Sequence, residues 1–501
     1  MRIEARSVTG RLAILWEAFH YSATALVAQA LGLISGFVVA KVLGPSDFGV
    51  WNAVSLALVY VGFSDLGVLP AMARDVPVYL GQGDSARARR TESVALGVTL
   101  VSTAIFALGV LVLGVYVGSG VMRVALFGMA MMVAAQRLYS YYLTVLRCYG
   151  EFGWLSRLQT ILAIVSTLLA IALVLWWGFV GRVAAAVVSQ LALLGGILWF
   201  RKWGIWPSLD LKILRQLITT GIPIVAASVI VGLLTTVDRL LIVSYLGETQ
   251  LGHFGLALLM TSVVSLIPSM SGQVLYPRMT FRYGEAGQNP EALRPFVLRP
   301  PIMIGLFLPL LIGPLYLILP TVVAEFLPAY TPGIVAARIV LLGIFFFGII
   351  GTTDYFLVTI GKLRPYITIA FVALMVNVIL DLIALKLGYG IEGVAITGTV
   401  ISYAIYALLL IGYALRYFMS GVAAPMGYLF KVVGPFAYMC LLLLLIESLL
   451  QSATKPAVFI RLVLYIAGVV PLAVQGIREL GINAFALEFT NARSSASREI
   501  S

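Results

Sequence analysis

Ten polar or ionisable side chains interrupt stretches of this sequence that are otherwise almost continuously apolar, and they are the groups with chemistry to offer. They are Gln29, Asn52, Asp65, Gln136, Arg137, Asp238, Arg239, Asp354, Asn377 and Asp381. A charge placed in hydrocarbon costs kilocalories, so each must face a hydrated passage or a partner. A guanidinium forks onto phosphate oxygens, which makes Arg239 and Arg137 candidates for meeting a phosphate-bearing substrate. A buried carboxylate can carry a proton or a sodium ion, or hold an arginine in place. Asn377 and Asp381 are four residues apart, on one face of any helix that carries them, and form the candidate ion-coupling pair. Asp238 and Arg239 are neighbours in sequence, hence about 100° apart on a helix, so each has surroundings of its own. Gln29 and Asn52 are uncharged candidates for lining the same passage. The competing reading is internal ion pairing that only fixes helix packing. Asp65 and Asp354 fall near the cytoplasmic ends of their apolar runs, where a charge reaches water at small cost. They are read as structural.

The elements that must position these groups are membrane helices. Of 501 residues 61% are hydrophobic and 11% charged, and the mean hydropathy is +1.04. A soluble domain is about one quarter charged, so the solvent this composition suits is a bilayer. Fourteen apolar runs have membrane-spanning length: 19–40, 48–72, 93–116, 122–147, 158–177, 183–200, 217–243, 251–277, 298–319, 334–360, 366–386, 392–415, 430–450 and 457–477. None alternates apolar and polar as barrel strands do. The expected class is therefore an all-α polytopic membrane protein of about 14 transmembrane helices. With the N-terminus cytoplasmic, the inner segments hold 24 of the 33 Lys and Arg and the outer segments 7, leaving Arg137 and Arg239 within spans. That bias places both termini inside. The net charge of +12 thus reflects topology and contact with anionic membrane lipid, with no nucleic acid as partner. The inner segments 73–92, 201–216 and 278–297 read as basic loops, and 320–333 as the longest outer one.

The sequence repeats itself. Leu43-Gly44, Gly49 and Trp51 match Leu246-Gly247, Gly252 and Phe254 at an offset of 203 residues. Further on, Gly150 and Val183-Ala184 match Gly361 and Val394-Ala395 at an offset of 211. Six spans separate the copies, so both halves enter the membrane in the same direction. The expected architecture is two pseudo-symmetric six-helix bundles around a cavity, an N-lobe at 19–200 and a C-lobe at 217–416, joined by a basic linker at 201–216. Residues 1–18 form an interfacial segment, 430–477 hold two additional spans, and 478–501 form a cytoplasmic tail.

Soluble-enzyme motifs are nearly absent. There is no Walker phosphate loop. Gly388, Gly390 and Gly393 match the dinucleotide pattern but lie in a turn between two spans, without a βαβ unit. Cys148 and Cys440 support neither a disulfide framework nor a metal site, and His20 and His253 are too few for zinc. No cofactor or metal is expected beyond the H+ or Na+ that coupling would use. Gly32 and Gly36 form a GxxxG packing face. Pro223, Pro268 and Pro309 interrupt spans as kinks or as hinges.

Leu43-Gly44-Pro45-Ser46-Asp47-Phe48-Gly49, Phe63-Ser64-Asp65-Leu66-Gly67 and Arg74 resemble the N-terminal signature of bacterial and archaeal polysaccharide transporters. These are the O-antigen-type flippases of the multidrug/oligosaccharidyl-lipid/polysaccharide exporter superfamily. Asp238-Arg239 with Leu246-Gly247 and Gly252, and Gly361-Lys362, Asn377 and Gly390 to Ala395, resemble the family's later segments, so the likeness covers residues 15–415. The resemblance implies a transporter, not an enzyme. It would move an isoprenoid-diphosphate-linked oligosaccharide from the inner to the outer leaflet of the cytoplasmic membrane by alternating access, for lipopolysaccharide or related surface polysaccharide. Polysaccharide-assembly proteins are its implied partners. It also implies a cationic cavity, to which Arg74 and Arg278 at the cytoplasmic mouth would add. A flippase for the peptidoglycan lipid precursor and a cation-coupled multidrug exporter are the related alternatives. A membrane glycosyltransferase or polymerase is the distant one, and the short outer connections argue against it.

Overall fold

The computed structural model describes residues 9–479 apart from 63, 82, 117–119, 150–151, 201–203, most of 266–285, and 451–454. Residues 1–8 of the expected interfacial segment 1–18, and 480–501 of the expected tail 478–501, lie outside that range. Apart from short 3-10 and π segments, the regular structure of the described residues is α-helical, and eleven helices are long and apolar enough to cross a membrane. The difference from fourteen has a local cause at each place. Helix α1 (Thr9–Val61) carries the first expected span and part of the second, continuous except for a kink at Gly44, and α5 (Phe152–Phe200) merges the fifth and sixth at Gly178. Helix α8 (Glu248–Val264) has 17 residues, and the rest of the eighth span falls in the undescribed stretch. From Gly178, with exposed Trp176 and Trp177 just before it, α5 runs to exposed Trp199 near its other end. About 21 residues at 1.5 Å each separate the two ends, roughly 32 Å, the thickness of a bilayer's hydrocarbon core.

The chain divides into two compact units. The first comprises residues 1–263, 326–336 and 370–398, the second 264–325, 337–369 and 399–501.

In the first unit, the second expected span is broken. Helix α1 ends at Val61 and α2 (Val68–Gly81) restarts the helix seven residues later. Leu66 and Gly67 sit at positive φ (53° and 84°) in the break, and the Asp65 carboxylate accepts from the amides of Gly67 and Leu69 at the start of α2, as an N-terminal cap does. The inner segment 73–92 is therefore mostly helix, with α3 (Ser85–Tyr116) beginning four residues after α2 ends, and not the loop its polarity suggested. Helices α4 (Gly120–Cys148) and α6 (Leu211–Leu234) complete this part, and α6 is capped by Asp210. Gly44 and Gly247, matched in the repeat, adopt the same backbone conformation, φ 71° and ψ 173° against φ 86° and ψ 177°. Their downstream segments meet through glycine. A Cβ on Gly49 would fall 1.8 Å from the Glu248 carbonyl oxygen, and one on Gly252 would fall 1.7 Å from that of Pro45. The short 3-10 segment Pro328–Gly333 seals this junction: buried Tyr330 donates to the Ala40 carbonyl, and the His253 ring nitrogen hydrogen-bonds the Ala329 carbonyl. The expected outer loop 320–333 is consequently helical over most of its length.

In the second unit, α9 (Arg294–Phe326) runs through five prolines, among them Pro309 and Pro320. Proline lacks the amide that would bond the carbonyl four residues back. For Pro320 that carbonyl belongs to Tyr316, and Arg338 Nε donates to it at 3.1 Å. Arg338 lies on α10 (Ile334–Ile350), stacks on the Tyr316 ring at 4.3 Å and pairs with Glu447 at 3.0 Å. The last two helices, α15 (Ala423–Leu449) and α16 (Lys455–Glu479), dock on α9 in the same manner: Tyr428 donates to the Leu298 carbonyl and Tyr465 to that of Pro309. Between α9 and these lie α11 (Thr353–Thr359), the distal part of a π-helix over Ala395–Ser402, and α14 (Tyr403–Leu415). Asp354, in the first turn of α11, is half-buried and accepts from the Tyr355 amide at 2.8 Å. Helix α12 (Leu363–Lys386) begins in this unit and continues into the first, where α13 (Gly390–Val394) follows it.

Candidate functional site

The seventh expected span does not run straight. Helix α6 stops at Leu234, Thr235 and Thr236 form a turn, and α7 (Val237–Leu246) restarts the helix with Asp238 in its first turn. The Tyr60 hydroxyl hydrogen-bonds the Thr236 hydroxyl, which also donates to the Gly232 carbonyl, so the break is held by α1. An acidic group in the first turn of a helix lies in the favourable field of the unbonded amides. The break thus carries Asp238 into the protein interior, 4% exposed, and leaves Arg239 half-buried, with Nη2 donating to the Thr235 carbonyl at 3.2 Å.

Asp238 meets the face of α12 that holds Asn377 and Asp381, both 0% exposed. Asn377 Nδ2 donates to Asp238 Oδ1 at 2.9 Å and to the Leu234 carbonyl at 3.3 Å. The Asp238 and Asp381 carboxyls are close enough to interact electrostatically. The Thr397 hydroxyl, from the π-helix, completes the group by donating to Asp381 Oδ1, with the Gly393 carbonyl at 2.9 Å as its alternative acceptor. A hydroxyl has one hydrogen, so when it turns to Gly393 its lone pairs are released toward the carboxylates.

Two acceptors in this group have no donor: Asn377 Oδ1 and Asp381 Oδ2. Two neighbouring carboxylates in a dry interior repel unless a proton or cation lies between them. A shared proton would satisfy the carboxylates but leave the amide oxygen without a donor. A small hard cation takes carboxylate, amide and hydroxyl oxygens alike. The residues present therefore fit a monovalent cation. Calcium commonly takes 6–8 oxygens; these four side chains reach six only if both oxygens of each carboxylate bind, and Asp238 Oδ1 and Asp381 Oδ1 already accept from Asn377 and Thr397. Among the described residues no cluster of three or more His, Cys, Asp or Glu occurs.

The other sequence candidates fall elsewhere. Arg137, on α4, is 4% exposed and paired internally. Its Nη2 lies 2.9 Å from Asp65 Oδ2, and Nη1 donates to the Gly62 carbonyl at 3.0 Å. The expectation that Asp65 reaches water is corrected by this pair: the carboxylate is 1% exposed and clamped between Arg137 and the start of α2. Asn52 is half-buried on α1, close enough to Gly255 that a Cβ there would approach its Nδ2 to 2.5 Å. Arg74 is exposed on α2. Gln29 lies in α1, its side chain outside the described residues, as is Arg278 altogether. Two residues were not singled out from the sequence. Thr397 is one; a lone threonine in an apolar run carries little signal, although its neighbour Gly398 adds a second small residue. Arg182 is the other: its guanidinium stacks 4.0 Å over the Trp51 ring.

The sequence matches the family described as polysaccharide biosynthesis protein over residues 15–281, more than half of the chain. The chain belongs to this family. No curated protein matches the sequence. Among solved structures, the fold is similar to the lipid II flippase MurJ in an inward closed conformation, with TM-score 0.68 at 15% identity over 92% of this chain and 99% of that one. It is also similar to a multidrug resistance MATE transporter of the MOP superfamily in an inward-facing conformation (TM-score 0.63, 17% identity, 80% and 96% covered). A MOP superfamily transporter from Pyrococcus furiosus aligns with TM-score 0.55 at 18% identity over 80% and 95%. This polysaccharide biosynthesis family member is thus a multi-pass membrane protein with a MOP-type transporter fold.

Proposed function

We propose that the protein is a flippase that carries an isoprenoid-diphosphate-linked oligosaccharide from the inner to the outer leaflet of the cytoplasmic membrane, for surface polysaccharide of the O-antigen or lipopolysaccharide type. The observation that carries this reading is the family match on a chain with the fold of transporters. The sugar and diphosphate would cross by alternating access while the isoprenoid tail stays in lipid. Arg239, half-buried beside the cation site, and Arg74 and Arg278 at the cytoplasmic mouth are the guanidinium groups proposed to meet the diphosphate. Both termini are placed in the cytoplasm by the Lys and Arg bias. The doubled six-span organisation, 19–200 and 217–416, belongs to this reading.

The cation site supplies the coupling. Asp238, Asn377, Asp381 and Thr397 would hold Na+, and its binding and release would bias the conformation from which the substrate is discharged. A ligand shifts such an equilibrium only as far as it prefers one state, and a site closed by residues from α7, α12 and the π-helix can express that preference.

The likeness to a lipid II flippase over nearly its whole length favours a second reading, in which the cargo is the peptidoglycan lipid precursor. The MATE likeness favours, more weakly, a multidrug exporter. Leaflet-specific detection of lipid-linked sugar in cells with and without the protein separates these. Loss of the surface glycan with inner-leaflet accumulation of its lipid-linked unit is expected. Unchanged glycan export in the null strain overturns the reading, and lysis on depletion selects the peptidoglycan precursor.

A further inference from the structure

We infer that Gly398 is a positioning residue for the cation site: the absence of a side chain at this place seats the Asp238 carboxylate against the π-helix and so sets the affinity of the site for Na+. This rests on the cation reading given above and extends it to a residue that offers no ligand atom.

The geometry is specific. An ideal Cβ on Gly398 would lie 2.6 Å from Asp238 Oδ2, 2.7 Å from Cγ and 2.8 Å from Oδ1. Three nearly equal distances mean that the carboxylate lies flat across the Gly398 Cα, with both oxygens directed sideways. In that pose Oδ1 takes the Asn377 amide hydrogen at 2.9 Å while the carboxyl stays beside the Asp381 carboxylate. The carboxyl group is not a flexible tip that can swing clear, because Asp238 is 4% exposed, its Oδ1 is bonded to a residue that is itself 0% exposed, and its helix starts only one residue before it.

The backbone places Thr397 and Gly398 together in the site. They are consecutive, and consecutive α-helical residues diverge by about 100°. Here they belong to the π-helix Ala395–Ser402, whose wider turn brings neighbouring positions closer to one face. Thr397 is thereby directed to Asp381 and the bare Cα of Gly398 to Asp238. One local distortion supplies a ligand to one carboxylate and clearance to the other. A methyl group at 398 would push Asp238 toward Asp381, shortening the distance between two like charges and closing the space between the orphan acceptors Asn377 Oδ1 and Asp381 Oδ2.

The test uses the purified full-length protein in nanodiscs, melted in NaCl and in choline chloride at fixed ionic strength. Na+ is expected to raise the melting temperature of the wild type with a measurable midpoint concentration. Gly398→Ala is expected to melt near the wild type in choline chloride but to need at least ten-fold more Na+ for half the effect. Gly412→Ala is the control: a Cβ there meets nothing within 4 Å, so its Na+ midpoint should stay that of the wild type. A Gly398→Ala midpoint equal to the wild type overturns the positioning role and leaves the cation site standing. A wild type that melts identically in both salts overturns the cation reading and this inference with it. Where Gly398→Ala does not fold, Gly398→Ala/Asp238→Ala decides. Recovery of folding without a Na+ response supports the contact, and continued failure to fold overturns it.

Discussion

Replacing Arg137 tests whether a buried guanidinium belongs to the transport site or to the scaffold. In Arg137→Leu the Asp65 carboxylate, 1% exposed, keeps only the amides of Gly67 and Leu69, at 3.3 and 3.1 Å, as donors. In Asp65→Asn the guanidinium loses its buried counter-charge and keeps the Gly62 carbonyl at 3.0 Å, with at most a neutral amide oxygen in place of the carboxylate. Leaving one member of a buried pair without the other costs about 3–5 kcal/mol. Removing both charges together, in Asp65→Asn/Arg137→Leu, leaves an uncharged interior in which the asparagine oxygen can still accept from the start of α2. Such replacements are often close to neutral. The cycle should therefore be strongly non-additive, with a coupling energy of at least about 4 kcal/mol, above the usual range of roughly 0.5–3 kcal/mol for contacting residues. The assay is SDS-titrated unfolding in mixed micelles followed by circular dichroism, together with leaflet-specific detection of the lipid-linked sugar in cells. The double variant should recover at least half of the stability lost by either single one and should flip substrate. An Arg137→Leu protein that unfolds within about 1 kcal/mol of the wild type yet fails to flip would refute the reasoning, and would return Arg137 to the group of substrate-binding cations.

Other outcomes follow from the same contacts. Gly252→Val should fail to accumulate in the membrane, because even its Cβ would fall 1.7 Å from a backbone oxygen, whereas Gly32→Ala, which meets nothing within 4 Å, should accumulate normally; membrane yield measures both. Asp381→Asn should abolish the Na+-dependent rise in melting temperature while the protein melts in choline chloride at or above the wild-type temperature, since one of two adjacent carboxylates is gone. Arg338→Met should cost about 1–3 kcal/mol by stripping the donor from the Tyr316 carbonyl, and hydrogen exchange should then rise in α9 around residue 320, beside the proline that leaves that carbonyl unbonded.

The sequence disclosed the membrane class and half of the proposed cation site. Asn377 and Asp381 were legible because helical periodicity puts residues four apart on one face, and hydrocarbon makes two such groups conspicuous. Asp238 was read apart from them, as a lining residue beside Arg239, because the break at Thr235–Thr236 that turns it inward has no strong marker: both threonines suit a helix wall as well as a turn. The break between α1 and α2 was better marked, by Ser64, Asp65 and Gly67, yet apolar flanks on both sides let a single span be drawn through it. Asp65 was misplaced as a result, since a charge at the end of a long helix reaches water and a cap in the middle of a broken one does not. Thr397 and Gly398 could not have been chosen from pattern alone. Their role depends on a π-helix that places consecutive residues on one face, against the spacing that sequence reading assumes.

The repeat and the site divide the work between backbone and side chain. Gly44 and Gly247 share a conformation, and Gly49 and Gly252 each clear a carbonyl on the matching segment, so the repeated positions are those where the main chain turns or approaches closely. The cation site follows the opposite rule. At the offset of 203 residues Asp238 corresponds to Ser35; at 211, Asn377, Asp381 and Thr397 correspond to Ser166, Ala170 and Ala186, and Gly398 to Val187. No carboxylate survives in the earlier positions, and the glycine that gives Asp238 room is replaced by a branched side chain. A duplicated scaffold can keep its packing in both copies because close approach of two backbones needs the same small residues each time. A buried pair of carboxylates is costly wherever no cation compensates it, so a second copy that binds nothing gains by losing them. On the proposed reading the coupling chemistry resides in one copy of the repeat, which supports one coupling cation for each transport cycle.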